Sequence, residues 1–297
     1  MPLRSFPFVL WARAQYTMAD ITAYVLYSGS SGNATYIRTP DAEILIDAGV
    51  SARAVEKNLN AIGTTLANIT AIFVTHEHTD HTKGLEVISK KHHIPTHMVN
   101  ESARALIRDP KSSLLNDLYL HPSVFSVRFG DTTVTSFPTP HDSAASVGYT
   151  ITYQDEKFGF ATDIGHITDE ITEALSGSDA VVIESNHDVD MLLMGPYPYP
   201  LKRRVLSDTG HLSNASCAEF AAMLAETGTK HFVLAHLSKE NNYPPAANIV
   251  TREALSAFED ITLAVASLDI PTKVGEDQPM EIHYAADQYS LRRKHQG

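Results

Sequence analysis

The sequence predicts an α+β fold: one domain in which two β-sheets are covered by helices. Two observations carry this. Hairpin-like apolar runs, helical stretches and further hairpins follow one another with neither a repeat nor a linker. Of the 297 residues, 43% are hydrophobic, which supplies a sizeable core.

ITAYVLYSGSSGNATYIRT (21–39) reads as two strands around a Gly/Ser loop at Ser28 to Asn33, and AEILIDAG (42–49) as a buried strand ending at Asp47. SARAVEKNLNAIG (51–63) is a helix stopped by Gly63. ITAIFVTH (69–76) is an apolar strand, and HTKGLEVISKKHH (81–93) one helix after it. FSVRFGDTTVTSFPT (125–139) and VGYTITYQDEKFGFATD (147–163) are hairpins that lead to His141 and Asp163. DAVVIES (179–185) is a strand reaching Glu184, and SNASCAEFAAMLAETG (213–228) a helix capped by Ser213 or Asn214. KHFVLAHLS (230–238) is a strand ending at His236; AANIVTREALSAFED (246–260) and ITLAVASL (261–268) are the last helix and strand. Residues 188–209, rich in Pro, Tyr and Gly, read as a long loop, and long ordered loops are often functional.

Residues 1–17 read as an N-terminal extension, disordered or non-native, before a single domain over 18–297; LRRKHQG (291–297) reads as a solvated basic end. The first residues loosely resemble a signal peptide, but the apolar stretch Phe6 to Ala12 is short and contains Pro7. No apolar run reaches the ~18 residues that a membrane span needs. The net charge of −12 excludes nucleic-acid binding by bulk attraction, so a polyanionic substrate requires a local patch or bound metal. A single Cys excludes a disulfide scaffold and a thiolate zinc cage, and suits a reducing, cytoplasmic setting.

The densest chemistry is THEHTDH (75–81). His76 and His78 can face one ion, and Asp80 and His81 a second beside it; imidazole and carboxylate suit Zn²⁺, Mn²⁺ or Fe. Without a metal such crowding leaves polar groups unsatisfied. Further ligands are sought at the ends of apolar strands, where His141, Asp163 and His236 stand. His92, His93, His97, His121, His231 and His283 show no such setting and read as surface or ordinary polar residues.

Together, in this order, these residues resemble the metallo-β-lactamase superfamily over about residues 20–250. SGSSGN (28–33), LIDAG (45–49), ESNHD (184–188), YPYPLKRRV (197–205), GHLSN (210–214) and AHLSKENN (235–242) narrow the resemblance to its YycJ/WalJ group of proposed DNA exonucleases. The resemblance implies a four-layer αββα sandwich and two divalent cations. One would be held by His76, His78 and His141, the other by Asp80, His81 and His236, with Asp163 bridging. Asp47 would orient ligands from behind or simply close a strand-end turn. A hydroxide shared by the metals would attack a phosphodiester. Asp80, His211 and Glu184 would be catalytic, His211 moving the proton or contacting a phosphate and Glu184 setting its tautomer. His187 and Asp188 would order the neighbouring loop.

The only Cys, Cys217, falls in a helix rather than at a metal position, which favours phosphodiesters, although thioester-hydrolysing relatives share Asp at these positions. Ser30, Ser31 and Asn33 can offer donors to a phosphate. Lys202, Arg203 and Arg204 form the best basic cluster, with Tyr197 and Tyr199 able to stack on bases. Only 73 residues separate Asp163 from His236, too few for the large extra domain of RNA-cleaving relatives. The expectation is a DNA exonuclease of 5′→3′ polarity. A hydrolase of small cyclic phosphodiesters, a thioester or lactone hydrolase, and a metal-binding module without catalysis stay open.

Overall fold

The computed structural model describes Met18 and residues 20–278; the expected extension over 1–17 and basic end over 291–297 lie outside the described residues. In chain order the strands are β1 (Thr22–Tyr27), β2 (Ala34–Arg38), β3 (Glu43–Ile46), β4 (Ala71–Phe73), β5 (Thr96–Val99), β6 (Leu118–His121) and β7 (Ser126–Phe129). They continue as β8 (Thr132–Thr139), β9 (Ser146–Tyr153), β10 (Glu156–Ala161), β11 (Ala180–Glu184), β12 (His231–Ala235), β13 (Thr262–Val265) and β14 (Thr272–Lys273). The helices are α1 (Ala52–Ala61), α2 (Thr79–Thr82), α3 (Leu85–His92), α4 (Asn100–Leu106), α5 (Asp169–Leu175), α6 (Val189–Met194), α7 (Tyr199–Val205), α8 (Asn214–Glu226) and α9 (Pro244–Ala254).

The strands form two seven-stranded sheets, in the orders β14-β1-β2-β3-β4-β5-β6 and β13-β12-β11-β10-β9-β8-β7. Each is antiparallel through its hairpins and parallel beyond them: β3 to β6 in the first sheet, β10 to β13 in the second. The central parallel strands of the second sheet are apolar along most of their length and buried, such as β11 (AVVIE) and β12 (HFVLA). Inner faces meet in one core that includes Ile44, Phe73, Val147, Tyr149, Phe158, Val182 and Val233. A second core packs α5, α8 and α9 on the outer face of the second sheet through Ile171, Phe220, Leu224 and Ala247. A third packs α1 and α3 on the first through Val55, Leu59 and Ile88. The result is helix, sheet, sheet, helix. At roughly 1.5–3 kcal/mol for each large apolar side chain buried, these interfaces dominate stability.

The chain departs from the sequence expectation in three places. Residues 188–209 are not a long loop: they contain α6 and α7. Asp188 caps α6, its Oδ1 accepting from Met191 N at 2.8 Å, and Pro200 sits in the first turn of α7, where no N–H is required. The expected helix over 81–93 is broken into α2 and α3 at Gly84, whose N–H is drawn to Ala48 O at 2.7 Å. Short elements with weak patterns, β5, β6, α4, α5 and β14, were not foreseen. Among the described residues no helix is long and apolar enough to cross a membrane.

Candidate metal centre

Parallel strands place their carboxyl ends along one edge, the usual place for a site in such sheets. Here β3 runs into Asp47, β4 into Thr75 and His76, β10 into Asp163, β11 into Glu184 and β12 into His236. Asp47, Asp163 and His236 all adopt the left-handed conformation, with φ of 63°, 58° and 57°. Non-glycine residues pay about 1–3 kcal/mol for such backbone strain and hold it where the surroundings over-determine them. The turn carrying the three histidines is clamped from behind. Asn33 N donates to Asp80 O (2.8 Å), Ala48 N to His81 O (2.9 Å) and Gly49 N to Asn33 O (2.7 Å). A Cβ on Gly49 would lie 1.6 Å from Asp80 O, so only glycine allows these loops to interlock.

Four overlapping groups of side chains converge at this edge: His76, His78 and His141; His76, His81 and Asp163; Asp80, His81 and His236; Asp163, Glu184, His211 and His236. Within each, one ligand-type atom per residue lies within 4.8 Å of all the others. Asp163 Oδ2 is 3.3 Å from His81 Nε2, and Asp163 Oδ1 is 3.8 Å from His141 Nε2 and 3.4 Å from His236 Nδ1. Asp163 therefore stands between the groups. Asp163 Oδ2 and His236 Nε2 are buried without a hydrogen-bond partner among the described residues, the state expected of atoms shaped for a cation. An imidazole-and-carboxylate donor set fits divalent metal ions.

Two buried carboxylates aim the imidazoles. Asp47 Oδ2 is 2.7 Å from His81 Nδ1 and is itself held by Thr75, whose N–H and Oγ1 donate to its two oxygens, each at 2.8 Å. His81 Nε2 is thereby turned to Asp80 and Asp163. Glu184 Oε1 is 2.7 Å from His236 Nδ1 and 2.9 Å from His211 Nδ1, while Oε2 accepts from Ile164 N and Leu212 N. Such carboxylate–histidine pairs fix tautomer and ring orientation. Burial disfavours charge throughout, yet it is overcome locally. Against burial, the carboxylates of Asp47 and Asp163 raise His81 to about 10. Against burial, the imidazoles of His211 and His236 hold Glu184 down to about 2. His211 is likewise raised by Glu184 despite its burial, whereas burial and then the neighbouring His81 keep His76 well below its ordinary value.

Of the residues expected to bind substrate, Ser30 and Ser31 are exposed at the rim. Asn33 is buried: Oδ1 accepts from Gly29 N (2.9 Å) and Nδ2 lies 3.1 Å from His81 Nε2, so it orders the loop behind the histidines. The basic cluster is divided. Lys202 Nζ donates to Leu193 O (2.6 Å), tying α7 to α6; Arg204 is paired with Asp142, beside His141; Arg203 is exposed, its guanidinium 6.0 Å from the Tyr199 ring centre. Tyr199 is exposed, as are Leu193 and Met194. His187 is buried, not at the surface of the site. The sequence reading missed the Arg204–Asp142 pair and the hold of Glu184 on His236. The adjacency of Asp142 to His141 was the only local signal for the first.

A family model, the beta-lactamase superfamily domain, matches residues 42–237. The chain belongs to that superfamily. It is 38% identical over 232 residues to exodeoxyribonuclease YycJ of Bacillus anthracis, covering 78% of this chain and 88% of that protein. It is 34% identical over 229 residues to exodeoxyribonuclease WalJ of Streptococcus pneumoniae, covering 76% and 84%. Among solved structures, the metallo-beta-lactamase fold protein YhfI from Bacillus subtilis aligns with a TM-score of 0.60 at 15% identity, over 86% of this chain and 99% of that one; this likeness concerns the fold.

Proposed function

We propose that the protein is a dinuclear metal-dependent phosphodiesterase that degrades DNA exonucleolytically in the 5′→3′ direction. One observation carries the reading: a histidine–carboxylate cluster without thiolate lies beside a histidine, His211, whose ring is held by a buried glutamate at 2.9 Å. A passive metal-binding module has no use for the second feature. The identity to proteins named exodeoxyribonuclease over most of the chain supports DNA as substrate.

In this reading His76, His78 and His141 would hold one divalent cation and Asp80, His81 and His236 the other, and Asp163 would serve both. Zn²⁺ or Mn²⁺ suits these donors. Bound cations supply a nucleophile at neutral pH and positive charge to the phosphoryl oxygens. The chain's own residues do the rest. Glu184 engages His211 Nδ1, leaving Nε2 to hand a proton to the departing 3′ oxygen, and its charge favours the protonated ring that an acid needs. Asp47 and Glu184 keep His81 and His236 turned inward. Arg203 and Tyr199, exposed on α7, offer charge and a stacking face to single-stranded DNA. The single thiol, Cys217, is buried in α8, in keeping with a cytoplasmic enzyme.

The test is turnover by protein loaded with Mn²⁺ or Zn²⁺. Bis-p-nitrophenyl phosphate should be hydrolysed and a thioester left intact. A DNA strand labelled at its 3′ end should shorten stepwise, while a 5′ label is released at once as mononucleotide. Thioester hydrolysis without phosphodiester hydrolysis would overturn the reading, and release of the 3′ label first would reverse the polarity.

A further inference from the structure

SGSSGN forms more than a hairpin turn. It is locked onto the histidines of one half of the centre: Ser28 Oγ accepts from His236 N at 2.7 Å, and Asn33 Nδ2 lies 3.1 Å from His81 Nε2. Between them, Ser30 and Ser31 rise to the surface. Gly29 and Gly32 take φ of 120° and 153°, and a Cβ on Gly32 would lie 2.2 Å from Val50 Cγ1, so the turn requires glycine there. The backbone N–H groups of Ser30 and Ser31 donate to no other described residue. Both residues are exposed, so these two N–H groups belong to an exposed turn at the rim of the site.

A cation is tied to that turn. Lys239 lies three residues after His236 in the sequence, and its segment packs on the same turn: a Cβ on Gly29 would touch Leu237 O at 3.4 Å. Lys239 is exposed, and Nζ donates to Ser31 Oγ at 3.1 Å across a separation of 208 residues. The other basic residues near the centre are differently placed. Lys202 is spent on Leu193 O and Arg204 on Asp142, both on α7, whereas Lys239 adjoins the half of the centre formed with His81 and His236. In a chain of net charge −12, an ammonium beside this turn offers local attraction for an anion.

We propose that Lys239, held by Ser31, contacts a backbone phosphate of the DNA strand next to the scissile phosphate, with the Ser30–Ser31 turn as the other half of the subsite. The proposal rests on the phosphodiesterase reading above. Lys239 acts as a binding residue that sets how well a strand, as opposed to an isolated phosphodiester, is gripped. A phosphate contact of this kind releases about one counterion, so its removal weakens binding across all sequences and lessens the dependence on salt.

The experiment compares Lys239→Gln, Ser31→Ala and Lys239→Arg with wild type, all metal-loaded, using a DNA oligonucleotide at several salt concentrations. Lys111→Gln, at an exposed turn before β6, controls for net charge. Metal content and melting temperature confirm that each variant is folded. Lys239→Gln should raise KM about tenfold with little change in kcat, and should lower the slope of log(kcat/KM) against log salt by about 0.7–0.9. Ser31→Ala should shift both quantities in the same direction by less, Lys239→Arg should recover most of the affinity, and Lys111→Gln should behave as wild type. An unchanged KM and salt slope in Lys239→Gln overturns the proposal while leaving the phosphodiesterase reading intact, and so does an equal effect in Lys111→Gln. Wild-type protein that hydrolyses bis-p-nitrophenyl phosphate but no DNA removes the strand-binding role, and failure on both substrates removes the parent reading as well.

Discussion

Two histidine clusters flank strand β4, and they are built on opposite principles. His97 pairs with Phe73 in register, and His76 follows Phe73 three residues later in the chain. In the first cluster His97 Nδ1 meets His121 Nε2 at 2.9 Å, and the rings are enclosed by aromatics. His97 stacks on Phe73 at 4.7 Å and on Tyr119 at 5.0 Å; His121 stacks on Phe125 at 4.0 Å. Burial, and then the neighbouring His121, pushes His97 down to about 4. In the second cluster the imidazoles face carboxylates, and His81 rises to about 10 although it is fully buried. In one cluster His97 Nδ1 and His121 Nε2 satisfy one another; in the other, Asp163 Oδ2 and His236 Nε2 have no hydrogen-bond partner among the described residues. Histidine crowding alone therefore does not make a metal site. In the proposed reading, the carboxylates of Asp47 and Asp163 at strained strand ends set the metal cluster apart.

That contrast can be broken most sharply at Asp163. Asp163→Ala removes the one carboxylate that neighbours His81, His141 and His236 together, and phosphodiester turnover should fall to background. Retained turnover would mean that the cluster does not depend on its central carboxylate. A smaller loss is expected at His211. His211→Ala should lower kcat by about 10²–10⁴-fold with metal content unchanged, as loss of an acid–base group does. Because Glu184 grips both His211 and His236, Glu184→Ala should instead lower kcat and metal affinity together; if it matched His211→Ala in kinetics with metal intact, the double hold would be irrelevant. Asp47→Ala should weaken metal binding or activity by about 10–100-fold through the freed His81 ring, measured by competition with a chelator.

The smallest effect belongs to the aromatic cluster. The folded His97 titrates near 4, below the ~6.5 of an unfolded histidine. Protonation thus favours unfolding: its contribution to stability is complete above pH ~6.5 and is lost as pH falls toward 4. His97→Phe should keep metal and activity, and its melting temperature should decline less steeply than that of wild type between pH 6.5 and 4. Parallel pH profiles would show that His97 does not titrate in this window.

The metal-edge half of this comparison was legible in the sequence because THEHTDH concentrates ligand-type side chains in one turn and most of the remaining convergent residues close an apolar run that reads as a buried strand. ILID, FVTH, FGFATD, VVIE and FVLAH each end on the group that reaches the centre. The aromatic half was not legible. His97 lies in a four-residue strand between two proline- and polar-rich stretches, and its partner His121 comes from a separate strand, so nothing local marks either as buried. The same limit hid the short α6 and the α7 that follows it, because Pro196, Pro198 and Pro200 read as breakers although Pro200 occupies a first-turn position of α7. It also hid the destination of Lys202 and Arg204, since a run of basic residues does not say which head groups are already engaged. Chain distance concealed the Lys239–Ser31 contact in the same way.

Metal stoichiometry tests the central claim most directly. Wild type, His97→Phe and Asp163→Ala, each saturated with Mn²⁺ or Zn²⁺ and freed of excess ion, would be compared by elemental analysis. The account predicts close to two ions per chain in wild type and in His97→Phe, and at most one in Asp163→Ala. Unchanged stoichiometry in Asp163→Ala, or loss of an ion from His97→Phe alone, would contradict it.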